Sequence, residues 1–231
     1  AQVSAERIGR VLQTQPSVTP GQVQDAPEAG TVEFRDVSFR YPGAQEDALS
    51  HISFRVGKGQ TLAIIGATGS GKSTLIGLIP RFYDVTGGQV LVDGRDVREF
   101  TFDALYDRLG YVTQRATLFS GTVQSNVFFG SGSAPETDEE LQKALDLSQA
   151  AEFVNSYPEG AQHRIAQLGR NVSGGQKQRL AIARALARGA EILVFDDSFS
   201  ALDYRTDAKL RAGLAAQMAG VTKIIVAQRI S

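Results

Sequence analysis

The chain has 231 residues, with 24 Lys and Arg against 25 Asp and Glu, a net charge of −1 and no cysteine. That length can bury a core as one large domain or two small lobes, and the balanced charge provides no global basic field for nucleic acid or a membrane surface. The lack of cysteine excludes disulfides, thiol catalysis and Cys-ligated metal and fits a reducing compartment; no apolar run reaches the length of a bilayer span, and no signal peptide is expected.

The chain starts at Ala1 rather than Met and ends at Ser231 just after an expected strand, so both ends are read as cut from something longer. Ser4 to Leu12 places Ile8, Val11 and Leu12 on one face and Glu6, Arg7 and Arg10 elsewhere, which predicts the tail of an amphipathic helix. Thr14 to Gly30 is rich in Pro, Gly, Gln and Val, and Pro16, Pro20 and Pro27 oppose regular structure there. Residues 1–30 are therefore expected to be a linker, and a helix carried on from a preceding domain is favoured over an expression leader.

Alternation over Val32 to Tyr41, and again over Ile52 to Val56, predicts strands. Gly57 to Gln60 is a turn into Leu62-Ala63-Ile64-Ile65, which reads as a buried parallel strand. Gly66-Ala67-Thr68-Gly69-Ser70-Gly71-Lys72-Ser73 follows at once and fits G-x-x-x-x-G-K-[ST], the P-loop. Glycines let the backbone wrap so that successive N–H groups converge on phosphates, and the next helix adds its positive end. Lys72 suits the β- and γ-phosphates of a nucleotide and the Ser73 hydroxyl suits Mg²⁺. The helix Thr74 to Ile79 is expected to stop at Pro80.

Gly87 to Gly94 reads as a short strand closed by an Asp-Gly turn, which makes the front part a small antiparallel sheet beside a parallel one. Gly110 is expected to break the chain before the short strand Tyr111 to Gln114. Helical patterns then cover Thr122 to Phe129, Asp138 to Leu147 behind Thr137, Ala150 to Tyr157, and Gly174 to Ala187. Strand–helix alternation returns with Ile192 to Phe195, a helix through Leu210 and Leu214, and Ile224 to Val226. A helical block is thus inserted into an α/β core.

Ile192 to Phe195 leads into Asp196 and Asp197. An acid at a strand's carboxyl end beside a P-loop is what Mg²⁺ needs, held through water, and the second acid could polarise a water attacking the γ-phosphate. Alone, such a pair would more often be a helix cap or turn. Asn171-Val172-Ser173-Gly174-Gly175-Gln176 reads either as an ordinary capped helix start or as a second bare helix end able to approach a phosphate. Two such ends for one triphosphate suggest that they face each other across a dimer.

The stretches Gly66 to Ser73, Ser173-Gly174-Gly175-Gln176 and the strand ending in Asp196-Asp197 together resemble the nucleotide-binding domain of an ABC transporter, over about Thr31 to Ser231. Glu6-Arg7-Ile8 to Leu12, then Pro16, resembles exporter-type subunits, in which a transmembrane domain precedes on the same polypeptide. The resemblance implies an α/β P-loop NTPase with a RecA-like core, an antiparallel β subdomain and an inserted helical subdomain. The core with its β subdomain would occupy residues 31–113, the mainly helical part 114–180, and the rest of the core, cut short at its C-terminus, 181–231.

The same resemblance implies ATP and Mg²⁺ as ligands, with Gly66, Thr68, Gly69, Ser70, Gly71, Lys72, Ser73 and Thr74 around the phosphates and Ser73, Gln114 and Asp196 at the metal. Tyr41 matches the aromatic that stacks on adenine, the plainer reading being a strand-end core tyrosine. Gln114 matches the glutamine that joins the lobes and lies near the transmembrane coupling helices. Ser173, Gly174, Gly175 and Gln176 match the signature that binds the γ-phosphate of the opposite subunit's ATP, and Asp203, in Ser200-Ala201-Leu202-Asp203, the loop between the two sites. Val172 replaces the usual leucine.

Two departures matter more. The family has glutamate where this chain has Asp197, and shortening by one methylene withdraws the carboxylate by about 1.5 Å, enough to lose hydrogen-bond reach to a water. The family also has a histidine where Gln228 stands, and an amide cannot become cationic; His51 and His163 lie elsewhere and read as ordinary surface or loop residues. With Lys72 and Gln114, Asp197 and Gln228 would form the catalytic set. The pair of changes resembles the degenerate site of a heterodimeric exporter, whose partner domain keeps the competent site. The rival readings are an ordinary homodimeric exporter ATPase and a nucleotide-gated clamp with little hydrolysis. Either would sit at the cytoplasmic face of a membrane; no nucleic-acid partner is expected.

Overall fold

The computed structural model describes residues 2–132 and 134–228. Strand β1 (Val32–Phe39) pairs antiparallel with β2 (Leu49–Val56) on one side and β4 (Gly87–Val92) on the other, and β5 (Arg95–Asp96) extends the sheet to the order β2-β1-β4-β5. The second sheet is parallel, in the order β3-β10-β9-β6, from β3 (Thr61–Ile65), β6 (Leu109–Val112), β9 (Ile192–Asp196) and β10 (Thr222–Ala227). Thus the expected mixed α/β architecture, an antiparallel sheet beside a parallel one, is what the chain forms.

Successive residues of β9 serve both sides of the parallel sheet. Ile192 and Val194 join a core with Phe34, Phe39, Ile76, Ile79 and Phe100, whereas Leu193 and Phe195 join a helical core with Leu145, Leu180, Ile182 and Leu186. Period-two alternation makes one strand the common wall of two apolar layers. Each such side chain contributes about 1.5–3 kcal/mol by leaving water.

The helical layer contains α4 (Val123–Val127), α5 (Asp138–Leu147), α6 (Ala151–Asn155) and α7 (Gly174–Ala187). Thr137 caps α5, its hydroxyl accepting from the Glu140 N–H at 3.2 Å; like the Ser173 cap, it starts its helix at the expected residue. A two-stranded ribbon of β7 (Gly121–Thr122) and β8 (Arg164–Ile165) ties this layer together. Helix α8 (Tyr204–Gln217) follows β9.

Several expectations change. β3 is an edge strand: Thr61, Ala63 and Ile65 are exposed and only Leu62 and Ile64 turn toward the core, because it pairs with β10 alone among the described residues. Gly110 lies inside β6 rather than breaking the chain. A Cβ there would come within 2.8 Å of the Ala185 carbonyl oxygen and 2.6 Å of Leu193, so glycine admits α7 against the sheet. Helix α2 (Lys72–Gly77) starts earlier and ends sooner than expected; Leu78 and Ile79 continue the winding through tighter bonds to Leu75 and Ile76. A short helix, α3 (Phe102–Asp107), capped by Thr101, stands where none was expected.

Helix α1 (Gln2–Gln13) leaves Ile8, Val11 and Leu12 exposed. After it the chain is irregular but not loose. The N–H groups of Gly21 and Val23 donate to the Phe100 and Glu99 carbonyls at 2.8 and 2.9 Å, and the Thr101 N–H returns a bond to Val23 at 2.9 Å. Arg108 donates to the Gln24 carbonyl at 3.0 Å and pairs with buried Asp93 at 3.2 Å, while the Thr31 N–H reaches the same Asp93 carboxylate at 2.9 Å. Burial pushes the Asp93 carboxyl above its ordinary range, against the pull of Thr31 and Arg108. Residues 21–31 thus form a strap knitted to the core.

Candidate nucleotide-binding site

The P-loop connects edge strand β3 to α2. Gly71, at φ 87°, is the N-cap of α2 and has no side chain to cap it; only glycine takes that left-handed conformation without cost. A Cβ on Gly66 would sit 2.8 Å from Ser70 Oγ, so a side chain there would have to push that hydroxyl aside. The Lys72 ammonium donates to the Gly66 and Ala67 carbonyls at 2.7 and 2.6 Å, so the loop curls around its own cation.

Beside the loop lies a cleft of about 310 Å³ whose wall includes Thr68, Gly69, Gly71, Lys72, Ser73 and Thr74. Asp196, at the end of β9, enters it and accepts a bond from Ser73 Oγ at 2.8 Å across 123 residues of sequence. Burial raises the Asp196 carboxyl above its usual range, the Ser73 bond opposes this, the Asp197 charge adds to it and Lys72 opposes it.

Asp197 also lines the cleft, at φ 47°, with its N–H given to the Val226 carbonyl at 3.1 Å. Aspartate tolerates that left-handed region better than longer acids. Its Oδ2 accepts from Gln228 Nε2 at 2.7 Å and from Gln114 Nε2 at 3.3 Å. One carboxylate oxygen therefore gathers amides from beyond the ends of β10 and β6. At the far side the Tyr41 hydroxyl shares a 2.9 Å bond with Thr74 Oγ1.

The expected residues fall into two places. Tyr41, Thr68, Gly69, Gly71 to Thr74, Gln114, Asp196, Asp197 and Gln228 surround the cleft, while Gly66 and Ser70 shape the loop behind it. Ser173 to Gln176 and Asp203 are elsewhere. The Ser173 end of α7 is not bare: Ser173 Oγ accepts from the Gln176 N–H at 3.3 Å and Gln176 Oε1 from the Ser173 N–H at 2.8 Å, a closed capping box. Asp203 is the N-cap of α8, bonded to the Thr206 N–H and hydroxyl at 3.0 and 2.7 Å, bonds that hold its carboxyl below the usual range. A Cβ on Gly175 would lie 3.5 Å from the Ala201 carbonyl, so these two elements abut each other. Ala48 and Val226 also line the cleft, and nothing in their local sequence marks them.

The donor set suits a hard cation. Ser73 and Asp196 offer hydroxyl and carboxylate oxygens at one point beside the loop. Among the described residues no three Asp, Glu or His side chains cluster, so a cation here would lean on ligand oxygens as well.

Residues 49–200 match the ABC transporter family profile. The chain is 48% identical over its whole length to an uncharacterized ABC transporter ATP-binding protein of Mycobacterium tuberculosis, of which it spans 40%. It is 41% identical, over 98% of its length, to the ATP-dependent lipid A-core flippase of Aromatoleum aromaticum, spanning 38% of that protein. Among solved structures, a bacterial Atm1-family ABC exporter with ATP bound superposes with a TM-score of 0.86 at 34% identity, covering 98% of this chain and 40% of the other. The chain thus spans well under half the length of these relatives. With a profile match over most of its length and an exporter domain of the same fold, the chain belongs to the ABC transporter family as an ATP-binding domain of the exporter type.

Proposed function

We propose that this chain binds MgATP in the P-loop cleft and works as the ATPase unit of an exporter. The observation that carries this is the Ser73–Asp196 bond at 2.8 Å beside a helix start with no cap of its own. Main-chain N–H groups and Lys72 would hold the phosphates, Tyr41 would carry the base, and Ser73, Asp196 and Gln114 would hold Mg²⁺. Bound there, Mg²⁺ neutralises the charge on the phosphate oxygens. The chain would sit at the cytoplasmic face of a membrane, and a transmembrane domain on the same polypeptide would select the transported substrate. A second nucleotide-binding domain would meet the Ser173 end and the Asp203 loop in a head-to-tail dimer. Nucleotide titration with and without Mg²⁺ tests the core of this: Asp196→Asn should abolish the gain that Mg²⁺ brings, and an unchanged gain would refute the assignment.

We further propose that turnover at this chain's own cleft is reduced. The Gln228 bond to Asp197 supports it: Oδ2 accepts from the Gln228 and Gln114 amides at 2.7 and 3.3 Å, and the acid is one methylene short. A general base must reach the water it activates. The partner domain would then hold the faster site, to which this chain contributes Ser173 to Gln176. Comparing ATP turnover of the chain with its Asp197→Glu, Gln228→His and doubly substituted forms decides this. A wild type as fast as the Asp197→Glu form would leave an ordinary homodimeric ATPase. Absence of vanadate-trapped nucleotide in the assembled transporter would favour a clamp without turnover.

A further inference from the structure

Tyr83 makes no contact with the nucleotide cleft, yet its ring is placed to govern the ring that does. Phe39, Tyr41 and Tyr83 form a triangle, with centroid separations of 4.8 Å for Phe39–Tyr41, 5.4 Å for Phe39–Tyr83 and 5.3 Å for Tyr41–Tyr83. Tyr41 stands nearly perpendicular to both neighbours, at 79° to Phe39 and 85° to Tyr83. Edge-to-face contacts of this kind are directional, so they hold a ring plane as well as a position.

The three rings differ in their surroundings. Phe39 is buried at 2% exposure and belongs to the core whatever the cleft does, whereas Tyr41 and Tyr83 keep 38% and 42% of their surface. An aromatic this open is held in place by only a few contacts. Tyr41 has Phe39 behind it, Tyr83 beside it and the Thr74 hydroxyl at its tip.

Tyr83 is itself anchored. It lies in the turn after α2, where buried Arg81, at φ 58°, forms a two-pronged pair with Asp84 at 2.6 and 3.1 Å and donates to the Arg98 carbonyl at 3.3 Å. The Phe82 N–H returns to the Gly77 carbonyl at 3.1 Å. Tyr41 lies just past the end of β1, while Thr74 is in α2 and Tyr83 is in the turn that follows it. The Tyr41 hydroxyl is therefore held by the P-loop helix and its ring by the turn that follows that helix.

We propose that Tyr83 is a positioning residue for nucleoside triphosphates: it fixes the Tyr41 ring relative to the P-loop and so sets the affinity gained from the base, without touching the nucleotide. This rests on the reading of Tyr41 as the base platform. Its chemistry predicts a selective loss. Removing the ring should weaken binding through the base and leave binding through the phosphates intact.

The test is a titration of the full polypeptide with ATP and with tripolyphosphate, which carries phosphates but no base. Tyr83→Ala should weaken ATP by about threefold to tenfold, the worth of an aromatic pair, with tripolyphosphate unchanged, KM raised and kcat held. Tyr83→Phe should restore ATP affinity, since the ring contact and not the hydroxyl matters. In a Tyr41→Ala background Tyr83→Ala should add nothing. Wild-type ATP affinity in Tyr83→Ala, an equal loss for tripolyphosphate, or an added loss in the Tyr41→Ala background would each overturn this role. Wild-type ATP affinity in Tyr41→Ala alone would remove the base platform, and the role of Tyr83 with it.

Discussion

Two helices of this chain start at a glycine beside a place where phosphate is expected, Gly71 as the N-cap of α2 and Gly174 as the first residue of α7, and they leave their first N–H groups in different conditions. At α2 the N-cap is a left-handed Gly71 with no side chain to offer, so its first donors have no side-chain cap. At α7 the N-cap is Ser173, and a capping box with Gln176 satisfies two of the N–H groups there, those of Ser173 and Gln176. An α-helix start leaves four N–H groups unpaired unless something satisfies them. The first end therefore has no side-chain partner for its donors, while the second is half satisfied from within. Phosphate contact at α7 would fall to the exposed Ser173 and to the Gly174 and Gly175 N–H groups, which the box does not use.

The largest expected effect breaks the first half of this contrast. Lys72→Met should weaken MgATP binding about tenfold to a hundredfold in calorimetric titration, because charge-assisted bonds are worth about 1.5–3 kcal/mol; unaltered affinity would take the phosphates away from α2. Gly71→Ala should follow, costing about 1–2 kcal/mol for a side chain in the left-handed region, with the new methyl 3.2 Å from the Ala48 carbonyl. Urea unfolding measures it, and a neutral result would mean that the cap conformation is not needed. Ser173→Ala should cost about 1 kcal/mol of stability as a lost cap and leave this chain's own nucleotide affinity untouched. A fall in that affinity would collapse the contrast.

The smallest effect sharpens it at a helix C-terminus. Beyond α8, the buried Lys223 ammonium donates to the Met218 and Val221 carbonyls at 2.6 and 2.9 Å, so this end is also satisfied from within, by a titratable group. Burial lowers the Lys223 pKa below its ordinary 10.5. The folded chain then binds fewer protons than the unfolded one between that lowered value and 10.5, and stability should rise with pH across the window. Lys223→Met should flatten that rise in alkaline thermal melts; a slope that survives belongs to another group.

What could be read from the chain was whatever lies within one short stretch. The P-loop is contiguous, and α5 and α7 start at the expected residues because Thr137 and Ser173 each stand three places before the residue they cap. The arrangement around Asp197 could not be read, since its amide partners lie 31 and 83 residues away. An apolar run such as Leu62 to Ile65 reads as buried whether a neighbour covers it or not, so the edge position of β3 left no trace. Helix α3 has only six residues, too few for a period to show. Tyr83 carries no motif, and only the meeting of β1 with the turn after α2 exposes what it touches.

The strap over residues 21–31 bears on where the chain tolerates being shortened. A fragment that begins at Val32 would keep every strand of both sheets, yet it would remove the Thr31 N–H from Asp93 and the Gln24 carbonyl from Arg108. The carbonyls of Glu99 and Phe100 would lose their partners as well. A net intramolecular hydrogen bond is worth about 0.5–1.5 kcal/mol, and the bonds lost cluster just ahead of α3 and the strand that leads to Gln114. A cut before Gly21 spares all of them. The boundary of the folding unit is therefore set by hydrogen bonds that precede its first strand.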